Sequence, residues 1–287
     1  MERDWTPGLL SIIIPTWNNL SLLQLCLEGI RRHTTCPHQV VLHINEGADG
    51  SLEWVRAQGI LHTYSEQNVG ICHAVNRAAA LSSGEYILYL NDDMFCCPGW
   101  DQALLARVSL LGTTAFMLSG TMIEPRASGN PCVVVKNFGS DPESFQMQRL
   151  LDEHAQLYRS DWYGSTWPPT CVHREWWNRV GGYSEEFSPG MSSDNDFSMK
   201  MWQAGCRIFQ GVGNSLVYHF MSRSTGKVVK NDGRRQFLKK WGMTQSTFDR
   251  HYLRRGLPMT HDRLPEAEHS LRWYWDLFRS TVKKHLG

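Results

Sequence analysis

The chain of 287 residues lacks several features that would assign it to a specialised class of protein. No apolar stretch approaches the roughly 20 residues that a transmembrane helix needs, and Met1 to Asp4 show no apolar signal region. The eight cysteines have no zinc-type spacing, and several lie inside apolar runs, so we expect buried free thiols. These absences favour the reduced cytoplasm as the compartment.

Net charge is also nearly absent, at +1, which argues against bulk binding of nucleic acid. The total hides an asymmetry along the chain. Residues 221–287 contain 15 Lys and Arg against 6 Asp and Glu, whereas residues 1–220 contain 14 against 22. We therefore expect an acidic first part that suits a cation site, followed by a basic part that suits phosphates or anionic lipid.

Strand and helix patterns alternate through the first half of the chain. Strands separated by helices predict right-handed crossovers and a mostly parallel sheet. The predicted strands are 9–14, 40–44, 62–64, 86–90 and 115–123, and the predicted helices between them are 20–30, 51–57, 69–81 and 99–111. The later pattern predicts a long loop at 124–141, a helix at 192–204, strands at 208–209 and 216–220, and helices at 234–241, 245–254 and 266–285.

The most informative segment is the apolar run Tyr86 to Leu90, which leads directly into Asn91, Asp92 and Asp93. A short run of this kind is typical of a strand buried on both faces. The two carboxylates are then expected at the carboxyl end of a parallel sheet, where open α/β folds bind ligands. Because neighbouring carboxylates repel, one expectation is a divalent cation that also holds phosphate oxygens. The other is a surface turn, in which Asn and Asp are common.

Taken in order, the motifs of residues 8–222 resemble those of the family 2 glycosyltransferases of the GT-A type. No single motif is decisive, but their order and spacing together are specific. The matching stretches are SIIIPTWN at 11–18, Asn68-Val69-Gly70 with Asn76, GEYILYLNDD at 84–93, VGGYSEEF at 180–187, SDND at 193–196 with Ala204-Gly205, and Val217-Tyr218-His219.

The resemblance implies an α/β fold of the GT-A type, which is Rossmann-like, with a mostly parallel sheet flanked by helices and a helical C-terminal extension. The GT-A domain would span 1–222, with a nucleotide-binding half at about 8–112 and an acceptor half at about 113–222. A basic helical extension would occupy 223–287. The implied reaction is an inverting, metal-dependent transfer of a sugar from a nucleotide-diphospho-sugar, UDP-linked, to a glycan or lipid-linked saccharide. Such transfers build bacterial polysaccharide or lipopolysaccharide.

Carried over by position, Asn91-Asp92-Asp93 falls on the Asp-x-Asp motif of the family, and Asn91 departs from that pattern. Asp93 would bind Mn²⁺ or Mg²⁺, and Asp92 would lie by the ribose or the diphosphate. His219 would complete the metal shell, and a core histidine at the end of a strand is its alternative. The candidates for binding the donor are Pro15, Thr16, Asn18, Asn45, Glu46, Asn68, Asn76, Asn91, Asp92, Arg223 and Lys227.

Asp194 and Asp196 stand at the start of a predicted helix, where an aspartate commonly serves as a cap. In the family, the equivalent of Asp194 is the general base, because a nearby carboxylate can take the proton of the acceptor hydroxyl. Asp196 would support that base, contact the acceptor or cap the helix. Trp167 and Trp177 would form an acceptor wall, since aromatic faces pack on sugar rings, or would belong to the core.

The last predicted helix has an apolar face with several aromatic residues and basic residues around the other side. Residues 265–287 are therefore expected to contact the inner face of the cytoplasmic membrane, to self-associate, or to pack on the domain. The apolar face consists of Leu271, Tyr274, Trp275, Phe278 and Val282.

Two other functions remain as alternatives to the sugar transfer. A sugar-nucleotide pyrophosphorylase usually has a Gly-rich, basic loop after its first strand, which residues 15–19 are not. A nucleotide-sugar-binding module without catalysis is the second alternative. The joint presence of Asp92, Asp93, Asp194 and His219 argues against such a loss of catalysis.

Overall fold

The computed structural model describes residues 10–222, 231–267 and 269–286. Within these ranges, ten strands form one sheet: β1 (Leu10–Trp17), β2 (His38–Asn45), β3 (His62–Ser65), β4 (Tyr86–Tyr89), β5 (Met94–Cys96), β6 (Met117–Glu124), β7 (Val134–Val135), β8 (Trp162–Tyr163), β9 (Thr170–His173) and β10 (Phe209–His219). The α-helices are α1 (Leu20–His33), α2 (Ser51–Ala57), α3 (Gly70–Leu81), α4 (Trp100–Leu111), α5 (Met147–Glu153), α6 (Arg174–Val180), α7 (Ser193–Gln203), α8 (Gly233–Trp241), α9 (Gln245–His251) and α10 (Leu271–Leu286). Short 3₁₀ turns lie at His154–Leu157 and Glu185–Phe187.

The sheet starts with four parallel strands in the order β3-β2-β1-β4, and a helix separates each of them from the next along the chain. The predicted parallel arrangement is confirmed in this half. The order then continues β9-β6-β10-β5. Here β9 pairs antiparallel with both β4 and β6, and β5 pairs antiparallel with β10, so the second half of the sheet is mixed.

The central strands are apolar on both faces because helices cover both sides of the sheet. β4 and β6 are buried at every position. Ile12 and Ile14 of β1 contact the cluster that includes α1 and α4, while Ile13 between them contacts the cluster that includes α3, α6 and α7. A strand with two covered faces has a continuous apolar run rather than an alternating one, which explains why the pattern was readable in the sequence.

The region between β6 and α7 contains more regular structure than the sequence predicts. The loop predicted at 124–141 includes β7, and α5, β8, β9 and α6 follow it. Each of these elements has at most seven residues, too few for a clear period. β10 is one strand where two were predicted, because a bulge between Val212 and Leu216 interrupts its apolar pattern.

Helices α8 and α9 contribute to the same core as α7. Phe237 of α8 and Phe248 of α9 are fully buried, and the rings of Phe248 and Trp202 meet edge to face at 6.2 Å. All eight cysteines are unpaired and seven are buried, as expected. The predicted domain boundary at 222/223 borders residues 223–230, which lie outside the described ranges. Within those ranges, we find no helix with the length and apolar character needed to cross a membrane.

Candidate active site

A cavity of about 1030 Å³ opens at the carboxyl ends of the parallel strands. The loops after β1, β2 and β4 line it, and so does the start of α7. Helices α8 and α9 also contribute side chains to the lining. The predicted site residues that line the cavity are Pro15, Thr16, Asn45, Asn68, Asn91, Asp92, Trp167, Asp194 and His219.

The two carboxylates after β4 have different surroundings. Asp92 lines the cavity near Thr16, and burial together with the adjacent charge of Asp93 raises the pKa of Asp92. The Oδ2 atom of Asp93 lies 3.4 Å from Nε2 of His219 and accepts a hydrogen bond of 2.9 Å from the amide of Ser222. Burial would raise the pKa of Asp93, but His219 and Ser222 outweigh it and hold that pKa below its ordinary value.

Glu124, the last residue of β6, belongs to the site although the sequence did not single it out. β6 and β10 run parallel, so their final residues Glu124 and His219 meet at the same sheet edge. One carboxylate oxygen of Glu124 lies 3.2 Å from Nδ1 of His219, and the other accepts a hydrogen bond of 2.5 Å from Ser128. Burial alone would lower the pKa of His219, but Asp93 and Glu124 raise it to about 10. The two carboxylates therefore favour a positive charge at His219, which either a proton or a metal ion on Nε2 would supply.

The side chains near the end of β4 that could ligate a metal suit a hard divalent cation. Among the described residues, no group of three or more His, Cys, Asp or Glu side chains is arranged to hold a metal ion. Asp93 and His219 nevertheless offer one carboxylate and one imidazole. The side-chain oxygen of Asn91 is buried, with no hydrogen-bond partner in the described structure. Proteins often hold Mg²⁺ through only one or two carboxylates together with substrate phosphates and water, so these residues fit such an ion.

Asn18 and Glu46 join the loops after β1 and β2 rather than lining the cavity. The amide of Asn18 donates a hydrogen bond of 2.9 Å to Glu46. Asn45 does line the cavity, and its side-chain oxygen accepts a hydrogen bond from the backbone of the loop that precedes α3. These bonds fix the shape of the wall that the sequence assigned to the donor. Arg223 and Lys227, which were also predicted to bind the donor, lie outside the described residues.

Asn76 is connected to Asp194 through Tyr183, a residue whose part in the site the sequence did not reveal. The amide group of Asn76 donates to the carbonyl of Tyr183 and accepts from its backbone N–H, both at 2.8 Å. The hydroxyl of Tyr183 then donates a hydrogen bond of 2.8 Å to Asp194. Gly182 has a φ of +60°, and a Cβ there would lie 2.5 Å from the Asn76 oxygen. Only glycine therefore allows Asn76 to hold Tyr183 in this way.

Asp194 lies in the first turn of α7 and lines the cavity. It does not cap the helix, because the residue at the cap is Ser192, which has a φ of +71°. Enclosure by the protein raises the pKa of Asp194 to about 7, and the hydrogen bond from Tyr183 opposes only part of that rise. A carboxyl group that titrates near neutral pH is suited to general acid–base chemistry.

The two tryptophans predicted for the acceptor wall lie in different places. Trp167 lines the cavity, and the guanidinium of Arg255 lies 4.3 Å from the centre of its ring. Trp177 is outside the cavity lining and 8% exposed, and its ring packs on Tyr183 at 5.8 Å. Trp177 therefore supports the residue that holds Asp194, and Trp167 provides the aromatic surface in the cavity.

Asp196 points away from the cavity. It is fully buried, and its Oδ1 atom lies 2.9 Å from the ammonium of Lys240 and accepts a hydrogen bond of 2.8 Å from the indole of Trp241. Both partners belong to α8. The carboxylate therefore attaches the C-terminal helices to α7.

Removing the cation beside Asp196 tests this attachment. We expect Lys240→Met to lower the free energy of unfolding by about 1–3 kcal/mol, because a buried carboxylate loses its charged partner. Urea denaturation measures the change. Lys239→Met removes the same charge from an exposed neighbouring position and should cost about 0.5 kcal/mol or less. Equal stability of the two variants would contradict the structural role of Asp196.

The chain is similar in sequence and in fold to known proteins. Residues 11–128 match the sequence profile of Glycosyl transferase family 2. Chondroitin synthase of Escherichia coli is 22% identical in an alignment of 236 residues that covers 73% of this chain and 34% of that protein. A PGL/p-HBAD biosynthesis glycosyltransferase of Mycobacterium tuberculosis is 32% identical in an alignment of 92 residues that covers 30% of this chain and 35% of that protein. The chain thus spans about a third of the length of these relatives.

Solved structures share the fold at low sequence identity. S. aureus TarS in complex with UDP-GlcNAc superposes with a TM-score of 0.57 at 14% identity, covering 80% of this chain and 64% of that chain. The mannosyltransferase PcManGT from Pyrobaculum calidifontis, in complex with GDP-Man and Mn²⁺, gives a TM-score of 0.52 at 16% identity, covering 98% and 71%. Residues 11–128 are thus identified as a region of glycosyltransferase family 2, and the solved structures share the GT-A fold of this chain.

Proposed function

We propose that the protein transfers a sugar from a nucleotide-diphospho-sugar to an acceptor hydroxyl, with a divalent metal at the diphosphate and Asp194 as general base. One observation carries this proposal: the same cavity is lined by Asn91 and Asp92 of the acidic motif after β4 and by Asp194. The leaving diphosphate and the attacking hydroxyl must lie in the same cavity. In this proposal, the acidic motif and its metal ion bind the diphosphate, and Asp194 binds the hydroxyl. The complexes of the structural neighbours with UDP-GlcNAc and with GDP-Man and Mn²⁺ support the donor class and the metal.

In this proposal, the parallel half of the sheet, within residues 8–112, binds the donor. Thr16 and Asn45 contact the nucleoside, and Asp92 accepts hydrogen bonds from ribose or sugar hydroxyls. Asp93 and His219 would hold Mn²⁺ or Mg²⁺, and such an ion would supply positive charge to offset the negative charge of the leaving diphosphate. Glu124 binds Nδ1 of His219 and so directs the other ring nitrogen, Nε2, toward Asp93, as outer carboxylates do for metal-bound histidines.

The second half, within residues 113–222, binds the acceptor. The acceptor hydroxyl attacks the anomeric carbon of the donor sugar directly as the bond from that carbon to the diphosphate breaks. The deprotonated carboxylate of Asp194 takes the proton of the hydroxyl. One direct displacement inverts the configuration at that carbon. Tyr183 orients the carboxylate, and the ring of Trp167 offers a face for a sugar of the acceptor.

Incubation with a panel of UDP, GDP and dTDP sugars, Mn²⁺ and saccharide acceptors distinguishes the three candidate functions. A transferase releases the nucleoside diphosphate and forms a new glycosidic bond. A binding module binds the donor and forms no product. A pyrophosphorylase, supplied with pyrophosphate, forms a nucleoside triphosphate and a sugar 1-phosphate. We propose UDP sugars as the donors, in line with the UDP-GlcNAc complex of TarS.

Asp194→Asn tests the general base. The amide has nearly the same shape but cannot take a proton, so we expect the transfer rate to fall by roughly 10²- to 10⁴-fold. Donor binding measured by calorimetry should stay nearly unchanged. Asp152→Asn, an exposed position on α5 away from the cavity, should keep full activity. Full activity in Asp194→Asn would rule out this residue as the base.

Tyr183→Phe tests how the base is tuned. Catalysis needs the deprotonated carboxylate, so the rate should rise with pH through the pKa of Asp194, which is about 7. The Tyr183 hydroxyl lowers that pKa, and its removal should move the acidic limb of the rate profile to higher pH. The variant should therefore lose more activity at pH 6 than at pH 8.

The matched control for this change is Tyr158→Phe, which alters an exposed tyrosine outside the cavity lining. Its acidic limb should coincide with that of the parent protein. An acidic limb that stays in place in Tyr183→Phe would contradict the role of the hydroxyl in tuning Asp194.

Asp93→Asn tests the metal site. We expect Mn²⁺ to tighten nucleotide binding to the parent protein and to have little effect on the variant, because the variant loses the charged ligand. Calorimetric titrations with UDP, in the presence of Mn²⁺ and of a chelator, measure both cases. Binding in the chelator should be similar for the two proteins, which shows that the variant is folded. If Mn²⁺ tightened UDP binding equally in the parent protein and in Asp93→Asn, Asp93 would not be a metal ligand.

A further inference from the structure

Polar side chains attach α10 to the rest of the protein. Oδ2 of Asp276 accepts hydrogen bonds from Arg250 at 2.6 Å and from His251 at 2.8 Å, both at the end of α9. One turn further along α10, Ser280 is fully buried and accepts a hydrogen bond of 3.2 Å from the backbone N–H of Thr244. These contacts fix which side of the helix faces the protein.

The opposite side of α10 carries large apolar side chains that face outward. Their spacing of three or four residues places them in one stripe along the helix, since each residue turns about 100°. No described residue covers this stripe. A continuous exposed apolar stripe marks an interaction surface, whereas single exposed apolar residues are ordinary. The stripe consists of Leu271 (91% exposed), Tyr274 (57%), Trp275 (59%), Phe278 (58%) and Val282 (38%).

The stripe has a basic edge. Arg272, Arg279 and Lys283 are exposed and follow one another along the same flank of α10. Tryptophan and tyrosine favour the boundary between lipid and water, and basic side chains beside them attract anionic headgroups. We propose that α10 binds the surface of an anionic membrane, with the stripe inserted among the acyl chains and the basic edge at the headgroups.

A second copy of this chain fits the stripe less well. A standard protein interface uses roughly 20–30 residues from each partner, whereas the stripe offers five side chains of one helix. A membrane needs only a narrow apolar face, because an interfacial helix lies in the plane of the bilayer and sinks about 5–10 Å into it. The size and the charge of the surface therefore both favour lipid.

Membrane docking has a consequence for the acceptor, and this consequence rests on the proposed function. Lys283 belongs to the basic edge of α10 and also lines the cavity. Arg234 and Arg235 of α8 line the same cavity and are exposed. A docked α10 therefore brings a basic side of the cavity close to the lipid surface. The acceptor class that fits is a saccharide attached to lipid through a phosphate.

Co-sedimentation of the protein with vesicles tests the docking. We expect binding to phosphatidylcholine vesicles that contain phosphatidylglycerol, weaker binding to pure phosphatidylcholine, and release by salt. The double variant Trp275→Ser/Phe278→Ser should lower vesicle binding by roughly tenfold or more, because it removes two inserted rings. Leu110→Ser, which changes a 73% exposed apolar residue on α4, is the matched control and should bind as the parent does.

Three outcomes would overturn the proposal. They are absence of vesicle binding by the parent, equal binding by the Trp275→Ser/Phe278→Ser variant, and a dimeric mass in light scattering that this variant halves. Neither residue lines the cavity, so binding of UDP sugars and transfer to a water-soluble acceptor should be unchanged in the variant. Those two assays report on the proposed function alone, and the vesicle assay reports on docking alone.

Discussion

The candidate site depends on one cation between two acids. Asp93 and Glu124 are both almost fully buried, and His219 lies between them. Two enclosed carboxylates without a positive partner would cost several kcal/mol, so this arrangement needs the imidazolium of His219 or a metal ion. β10 supplies the histidine because it runs parallel to β6 and ends beside it. The sheet order of the second half is therefore part of the chemistry of the site as well as of the fold.

Asp194, the proposed base, depends on a different kind of constraint. Among the described residues, no cation is paired with Asp194, and the hydroxyl of Tyr183 donates a hydrogen bond to one of its oxygens. Burial then raises the pKa of Asp194 to about 7. For Asp93, the neighbouring His219 outweighs burial and holds the pKa below its ordinary value. Two aspartates of one candidate site are thus given different protonation behaviour by their surroundings. That separation suits a reaction in which one acid stays charged and the other exchanges a proton.

Much of the first half could be predicted from the sequence, because buried parallel strands and their helices each leave a continuous local pattern. The same holds for the strand ends that carry Asp92 and His219. What the sequence left out are contacts between distant segments. Asn76 was predicted to bind the donor, and no local pattern reveals that its amide instead holds Tyr183, 107 positions later. Glu124 was missed because its significance appears only when β6 and β10 are adjacent.

Helix α3 touches both ends of the reaction. The segment at its N-terminus, Asn68 and Gly70, lines the cavity on the donor side, and Asn76 in its middle holds Tyr183 against Asp194. A helix moves as a rigid unit, so a shift of α3 at one end is felt at the other. Because coupling free energy is reciprocal, any effect of donor binding on the charge state of Asp194 through α3 would be matched by an equal effect of that charge state on donor binding.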